Sequence, residues 1–196
     1  SAWSSLAQQI GPGRVAAPVP DDWEGWLRDL FPTTLRDVHG GDLPFAHFQR
    51  ELWAWVWALQ PGVRPPPFVA IWARGAGKSS SAELACAALA ARGIRRYGIY
   101  ISSVQDRADD HVSNVAALLE SSQFAAVYPE SADRMVSKFG MSRGWRRNRV
   151  RTKRGFTLDA LGLDGDLRGV KLEALRPDWL ILDEVDEEFD SPAATA

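Results

Sequence analysis

One cysteine in 196 residues, Cys86, excludes an internal disulfide and with it the small stapled domains common among secreted chains. Long apolar runs are missing too. No stretch approaches the roughly 20 residues that a membrane-spanning helix needs, so no membrane partner is expected. The Ser1-Ala2 start lacks the charged and apolar regions of a secretory signal, and a cytoplasmic location is the expectation. An excess of one charge is absent as well: 23 basic and 25 acidic side chains leave a formal net charge of -2. That excludes a global basic field, so a nucleic-acid partner must be met through a local patch. Lysine is scarce, being confined to Lys78, Lys138, Lys153 and Lys171. His39, His47 and Cys86 show neither metal-ligand spacing nor nucleophile–base pairing, and are read as packing or surface residues.

What is present is apolar bulk. At 45% hydrophobic with nine Trp, the chain has ample material for a core. Residues 1–20 are Gly/Pro/Ala-rich and are expected to wrap the surface or fray. "DDWEGWLRDLF" (21–31) opens on acids and carries Trp23, Trp26, Leu27 and Leu30 at helical spacing. "PFAHFQRELWAWVWALQ" (44–60) predicts a longer helix whose apolar residues nearly encircle it, so that it is buried on more than one side. The stiff connector "PGVRPPP" (61–67) separates this helical lead-in, residues 1–60, from the remainder, residues 61–196.

The remainder alternates. "FVAIW" (68–72) is a short continuous apolar run, the pattern of a buried parallel strand. An Ala-rich helix (79–93) follows, then a strand (97–103) and a helix (104–120). Two alternating arms (144–162) joined at Lys153-Arg154-Gly155 predict a hairpin. "DWLILDEVDEE" (178–188) is a strand running into acids. This order predicts an α/β fold with a mainly parallel sheet.

Between the first of these strands and its helix lies "ARGAGKSS" (73–80). It matches the phosphate-binding pattern G-x-x-x-x-G-K-[ST] except that Trp72 stands where the first glycine belongs. Gly75, Ala76 and Gly77 leave room for backbone N–H groups to close round phosphate oxygens, with the positive end of the helix behind them. Lys78 would reach the β- and γ-phosphates of ATP, and the Ser79 hydroxyl would ligate Mg2+. Asp183 and Glu184, at the tip of the acid strand, suit a metal-holding carboxylate and a water-polarising one. The alternative for the acids is simple decoration of an exposed strand end, and that reading is kept for Asp186, Glu187, Glu188 and Asp190. Gln49 has an amide that can read adenine through paired donor and acceptor contacts, although a lone helical Gln is usually just solvated. Arg143, Arg146, Arg147, Arg149, Arg151, Lys153 and Arg154 form a basic run without an intervening acid. Alternation places Arg147, Arg149 and Arg151 on one face and packs Val150 on the other. Three readings of the run stay open: a surface tracking DNA phosphates, a surface docking on the acidic 186–190 segment of a neighbouring subunit, and a solvated edge blunted by charge. An arginine at Arg168, before the acid strand, could reach a γ-phosphate of its own or a neighbouring subunit, although on the residues alone it is one arginine among nineteen.

"FVAIWARGAGKSS", "ISSVQDRADDHV", the hairpin and "GLDGDLRGVKLEALRPDWLILDEVD" together resemble the ATPase domain of phage terminase large subunits, the motors that drive DNA into procapsids. That family typically departs from the standard loop at its first glycine and carries an arginine inside it. The resemblance covers roughly residues 23–190. It implies a P-loop NTPase fold of the ASCE/RecA-like type, three-layered, with a helical lead-in and a hairpin insertion. It places Lys78 and Ser79, with Ser80 beside them, in the nucleotide-binding loop and makes Arg74 the loop arginine. Asp183 becomes the metal-binding aspartate, Glu184 the catalytic glutamate, Gln49 the adenine-reading glutamine and Arg168 a finger acting across a subunit boundary. It implies ATP and Mg2+ as ligands, and double-stranded DNA, a portal protein, a small terminase subunit and further copies of the chain in a ring as partners, in the cytoplasm of a bacterial host. It also implies a further strand between the loop strand and the acid strand, and a nuclease domain. Neither is read in these residues, and Ser191-Pro192 has the pattern of a helix start, so the sequence is expected to be a fragment truncated at its C-terminus. Two rivals remain. A superfamily 2 helicase is suggested by Asp183-Glu184-Val185-Asp186 as a D-E-x-D box, and a nucleotide-dependent assembly module would bind ATP without hydrolysing it.

Overall fold

The structure is a computed structural model that describes residues 18–36, 39–142, 144–163, 172 and 174–185. Among the described residues the elements are, in order, α1 (Trp23–Leu30), α2 (His47–Ala58), α3 (Lys78–Arg92), β1 (Tyr97–Ser102), α4 (Gln105–Glu120), α5 (Ser122–Val127), α6 (Pro129–Ala132), β2 (Arg149–Arg151), β3 (Thr157–Gly162) and β4 (Trp179–Leu182). The four strands form one sheet in the order β2-β3-β1-β4. β1 runs parallel to both of its neighbours, and β2 pairs antiparallel with β3. The chain is therefore α/β with a mostly parallel mixed sheet. Among the described residues no helix is long and apolar enough to cross a membrane. The segments at 1–17 and 186–196, including the Ser191-Pro192 helix start, lie outside the described residues.

The lead-in packs as its periodicity requires. Asp22 caps α1 by accepting from the Gly25 N–H at 3.0 Å, and Trp26, Leu27 and Leu30 are buried. The Trp26 indole donates to the Tyr128 hydroxyl at 2.9 Å, joining α1 to the residue between α5 and α6. On α2, Trp53 and Val56 are buried while Leu52, Trp55 and Trp57 pack half-buried against the same core. The end of α2 is fastened to the end of α3 by Arg92, which donates to the carbonyls of Val56 (2.6 Å), Trp57 (2.9 Å) and Leu59 (3.0 Å). The guanidinium thus gathers carbonyls at the C-terminal end of α2, where a helix leaves acceptors for outside partners.

α4 lies against β1, β2 and β3. Strand alternation sends Tyr100, Leu158, Ala160 and Val150 to its side, into the main core. Gly98 is required by close approach: a Cβ there would overlap the Trp179 ring on the neighbouring strand. Leu180 and Leu182 point to the other face and are 55% and 62% exposed.

One expectation fails. The apolar run 68–72 joins no ladder among the described residues, and Val69 and Ile71 are 73% and 92% exposed. An apolar run becomes a strand only where an edge is offered to it. The sheet ends at β4 on one side and β2 on the other, and 68–72 pairs with neither. The predicted hairpin does form: Arg149 sits opposite Asp159 and Arg151 opposite Thr157, Gly155 N–H donates to Thr152 O at 3.0 Å in the turn, and Val150 is buried.

Candidate nucleotide site

The loop is built by two left-handed glycines. Gly75 and Gly77 both have φ of 78°, a conformation that other residues adopt only with strain. The Ala76 N–H donates to Ala73 O at 3.2 Å between them. Gly77 caps α3, whose first residue is Lys78, so the unpaired N–H groups of the first turn open beside the loop. The Lys78 ammonium donates to the carbonyls of Trp72 (2.9 Å) and Ala73 (3.1 Å), folding back along the loop. Ser79 is half-buried, whereas Arg74 and Ser80 are exposed, and Arg74 engages no carboxylate among the described residues. The tryptophan in place of the first glycine has a packing role: its ring meets Phe48 of α2 with centroids 4.8 Å apart.

Gln49, next to Phe48, has both ends of its amide in use. Nε2 donates to Ala76 O at 3.1 Å, and Oε1 accepts from the Ala46 N–H at 2.9 Å. In this arrangement it tethers the loop to α2, and one Nε2 hydrogen and one Oε1 lone pair are left over from these two bonds.

Asp183 follows β4 and is held there by its N–H, which donates to Ile101 O at 2.9 Å. Its carboxylate is nearly buried. Oδ2 accepts the Tyr100 hydroxyl at 2.8 Å and lies 3.8 Å from His111 Nε2. The other His111 nitrogen, Nδ1, meets Glu83 Oε1 at 2.8 Å. Glu83 stands on α3 four residues beyond Ser79, hence on the same helix face one turn away. The loop helix and the tip of the acid strand are thus linked through His111. The hydrogen bond with Glu83 raises the His111 pKa, burial opposes it, and the charges of Glu83, Asp183 and Glu184 raise it further, so the net shift is upward from an ordinary imidazole. Burial, reinforced by the Asp183 charge and hydrogen bond, pushes the Tyr100 phenol far up, so it remains a donor. Burial likewise pushes the Cys86 thiol up, which leaves it inert.

Glu184 is 57% exposed, with Oε2 3.6 Å from Arg107 Nη1. Its carbonyl accepts from the Ser103 N–H at 3.2 Å. Arg168, the candidate finger, lies outside the described residues.

The basic run meets acids of its own chain. Arg147 bridges Asp106 (3.1 Å) and Asp110 (2.9 Å) on α4, Arg149 pairs with Asp159 on β3, and Lys153 lies 3.7 Å from Glu130. Arg146 and Arg154 are exposed and Arg151 is half-buried. A cleft of about 300 Å³ beside the hairpin is lined by Arg146, Arg149 and Asp159 with Ile99 and Leu161, and it touches neither the loop nor the acid strand.

Sequence reasoning passed over Tyr100, His111, Glu83 and Arg107. Only the Ser79–Glu83 spacing carried a local signal for any of them. Among the described residues no group of three or more His, Cys, Asp or Glu side chains is arranged to hold a metal by itself. Comparison with protein-family profiles, with curated proteins and with solved structures gave no match.

Proposed function

We propose that this chain is a P-loop ATPase domain that binds MgATP at residues 73–80 and hydrolyses it. The observation that carries the reading is the pairing of a two-glycine loop at the N-terminus of α3 with a strand-end aspartate connected to that same helix through His111. The residues fit a nucleotide. Nothing lies within 4 Å of where a Gly75 Cβ would stand, so the cradle is open. Among the described residues Lys78 is held by two neutral carbonyls, weaker partners than a charged phosphate. In the reaction Lys78 exchanges those carbonyls for phosphate oxygens, while the loop N–H groups and the α3 N-terminus stabilise the negative charge that develops. Ser79 and Asp183 would hold Mg2+, which supplies charge neutralisation at the phosphates. Glu184 orients and deprotonates the attacking water, and Arg74, exposed in the loop, is available to the γ-phosphate.

The motor of a phage terminase large subunit is the form of ATPase that the sequence resemblance favours, with double-stranded DNA as the track. Two further features support it. Val69 and Ile71, and Leu180 and Leu182 on one face of β4, are exposed apolar side chains that the fuller sheet and second helical layer of that family's three-layered fold would cover. Arg146 and Arg154 are exposed for phosphate contacts, while Arg147, Arg149 and Lys153 meet acids of their own chain. The ion pair of Glu184 with Arg107 favours a second reading, a module that binds nucleotide without hydrolysis, because the pair must open before the carboxylate can act. Phosphate release separates the two. The motor reading predicts magnesium-dependent turnover that rises with double-stranded DNA; nucleotide binding without turnover, with or without DNA, would support the non-hydrolysing module.

A further inference from the structure

The two carboxylate oxygens of Asp183 are not equivalent. Oδ2 receives the Tyr100 hydroxyl and faces His111, whereas Oδ1 has no hydrogen-bond partner among the described residues. The Tyr100 hydroxyl has no other partner among the described residues, so a phenylalanine would fill the same buried space on β1 without it. The Tyr100 ring stacks on the His111 imidazole, with centroids 4.7 Å apart and planes 20° from parallel. His111 is fixed in turn by Glu83, whose Oε1 also accepts from Asn114 Nδ2 at 2.9 Å. One connected chain therefore begins on the loop helix, crosses α4 and ends on a single oxygen of the acid strand. A free carboxylate can rotate and present either oxygen; a carboxylate held through Oδ2 has one left to offer.

We propose that Tyr100 and His111 are positioning residues that clamp Oδ2 of Asp183, so that Asp183 meets nucleotide-bound Mg2+ through Oδ1 in an orientation referred to α3 by Glu83. The role rests on the nucleotide reading above and adds to it the residues that set the cation site. Partners of this kind, one step removed from a metal, typically carry about 10- to 100-fold in metal affinity.

The test is the affinity for ATP, measured by calorimetry in Mg2+ and again in EDTA, for the wild-type chain, Tyr100→Phe, His111→Gln and Lys78→Ala. The clamp predicts that Tyr100→Phe lowers the ratio of the two affinities about tenfold or more while the EDTA value stays at the wild-type level. His111→Gln, at a half-buried position that tolerates exchange more readily, moves the ratio the same way. A purely structural role lowers thermal stability and leaves the ratio alone. Wild-type ratios in both variants, with Lys78→Ala weak in both buffers, overturn the clamp and leave the nucleotide reading standing. A wild-type chain without affinity for ATP in either buffer overturns the nucleotide reading and the clamp with it.

Discussion

At the scale of single residues, the candidate site is where the backbone departs from its comfortable range. Glu184 is the one non-glycine with positive φ among the described residues, at 49°. Such a conformation costs on the order of 1 kcal/mol or more and tends to persist where function needs the side chain aimed. Because more than half of the Glu184 side chain is exposed, little packing is lost when it is shortened. Glu184→Ala is expected to keep ATP binding and the folded state while turnover falls by roughly 10²- to 10⁴-fold, the usual contribution of a general base. Parallel binding and phosphate-release assays check this, and turnover at the wild-type rate would remove Glu184 from the chemistry. The loop itself was legible residue by residue, because glycine, lysine and serine at fixed spacing act locally. The meaning of Trp72 was not, since its partner Phe48 lies on a different element.

At the scale of elements, α1 to α4 and the three longer strands followed from periodicity and from glycine punctuation, which are local signals, whereas the short α5 and α6 were not read. Ladder partners did not, because pairing depends on which edge is free. Residues 68–72 have the composition of a buried strand, yet no sheet edge reaches them. The basic hairpin was legible as a hairpin, but the acids that neutralise Arg147 sit on α4, far from it in sequence. Tyr100, His111 and Glu83 escaped notice for the same reason: each meets its partner across elements. Ion pairing between elements also gives the lead-in a pH dependence. Burial raises the Glu24 pKa, and the hydrogen bonds and charges of Arg28 and Arg50 lower it by more, so the folded value lies below the ordinary 4.5. A lowered carboxylate pKa stabilises the fold above the unfolded value, and that contribution is lost as pH falls through the folded one. Glu24→Gln should therefore melt below wild type near neutral pH, with the gap closing as pH drops beneath about 4.5. Thermal unfolding across that range is the check, and a gap that stays constant would show that Glu24 acts there without its charge.

At the scale of the whole molecule, the arrangement reads as two supports brought to one place. α2 and the lead-in hold the loop from one side through Gln49 and Phe48. From the other side the parallel strands carry Asp183 and Glu184, and α4 supplies His111 between them and α3. A core in which Arg92 fastens α2 to α3 keeps these supports in register. All of this matters to function only if the loop takes a nucleotide. The most direct test is a titration of the chain with ATP in Mg2+, repeated with Lys78→Ala. Saturable binding that weakens by at least about tenfold in the variant, as loss of a charge-assisted phosphate contact requires, is the expected result. Equal affinity in the two proteins, or no binding by either, would contradict the assignment of residues 73–80 as the phosphate cradle.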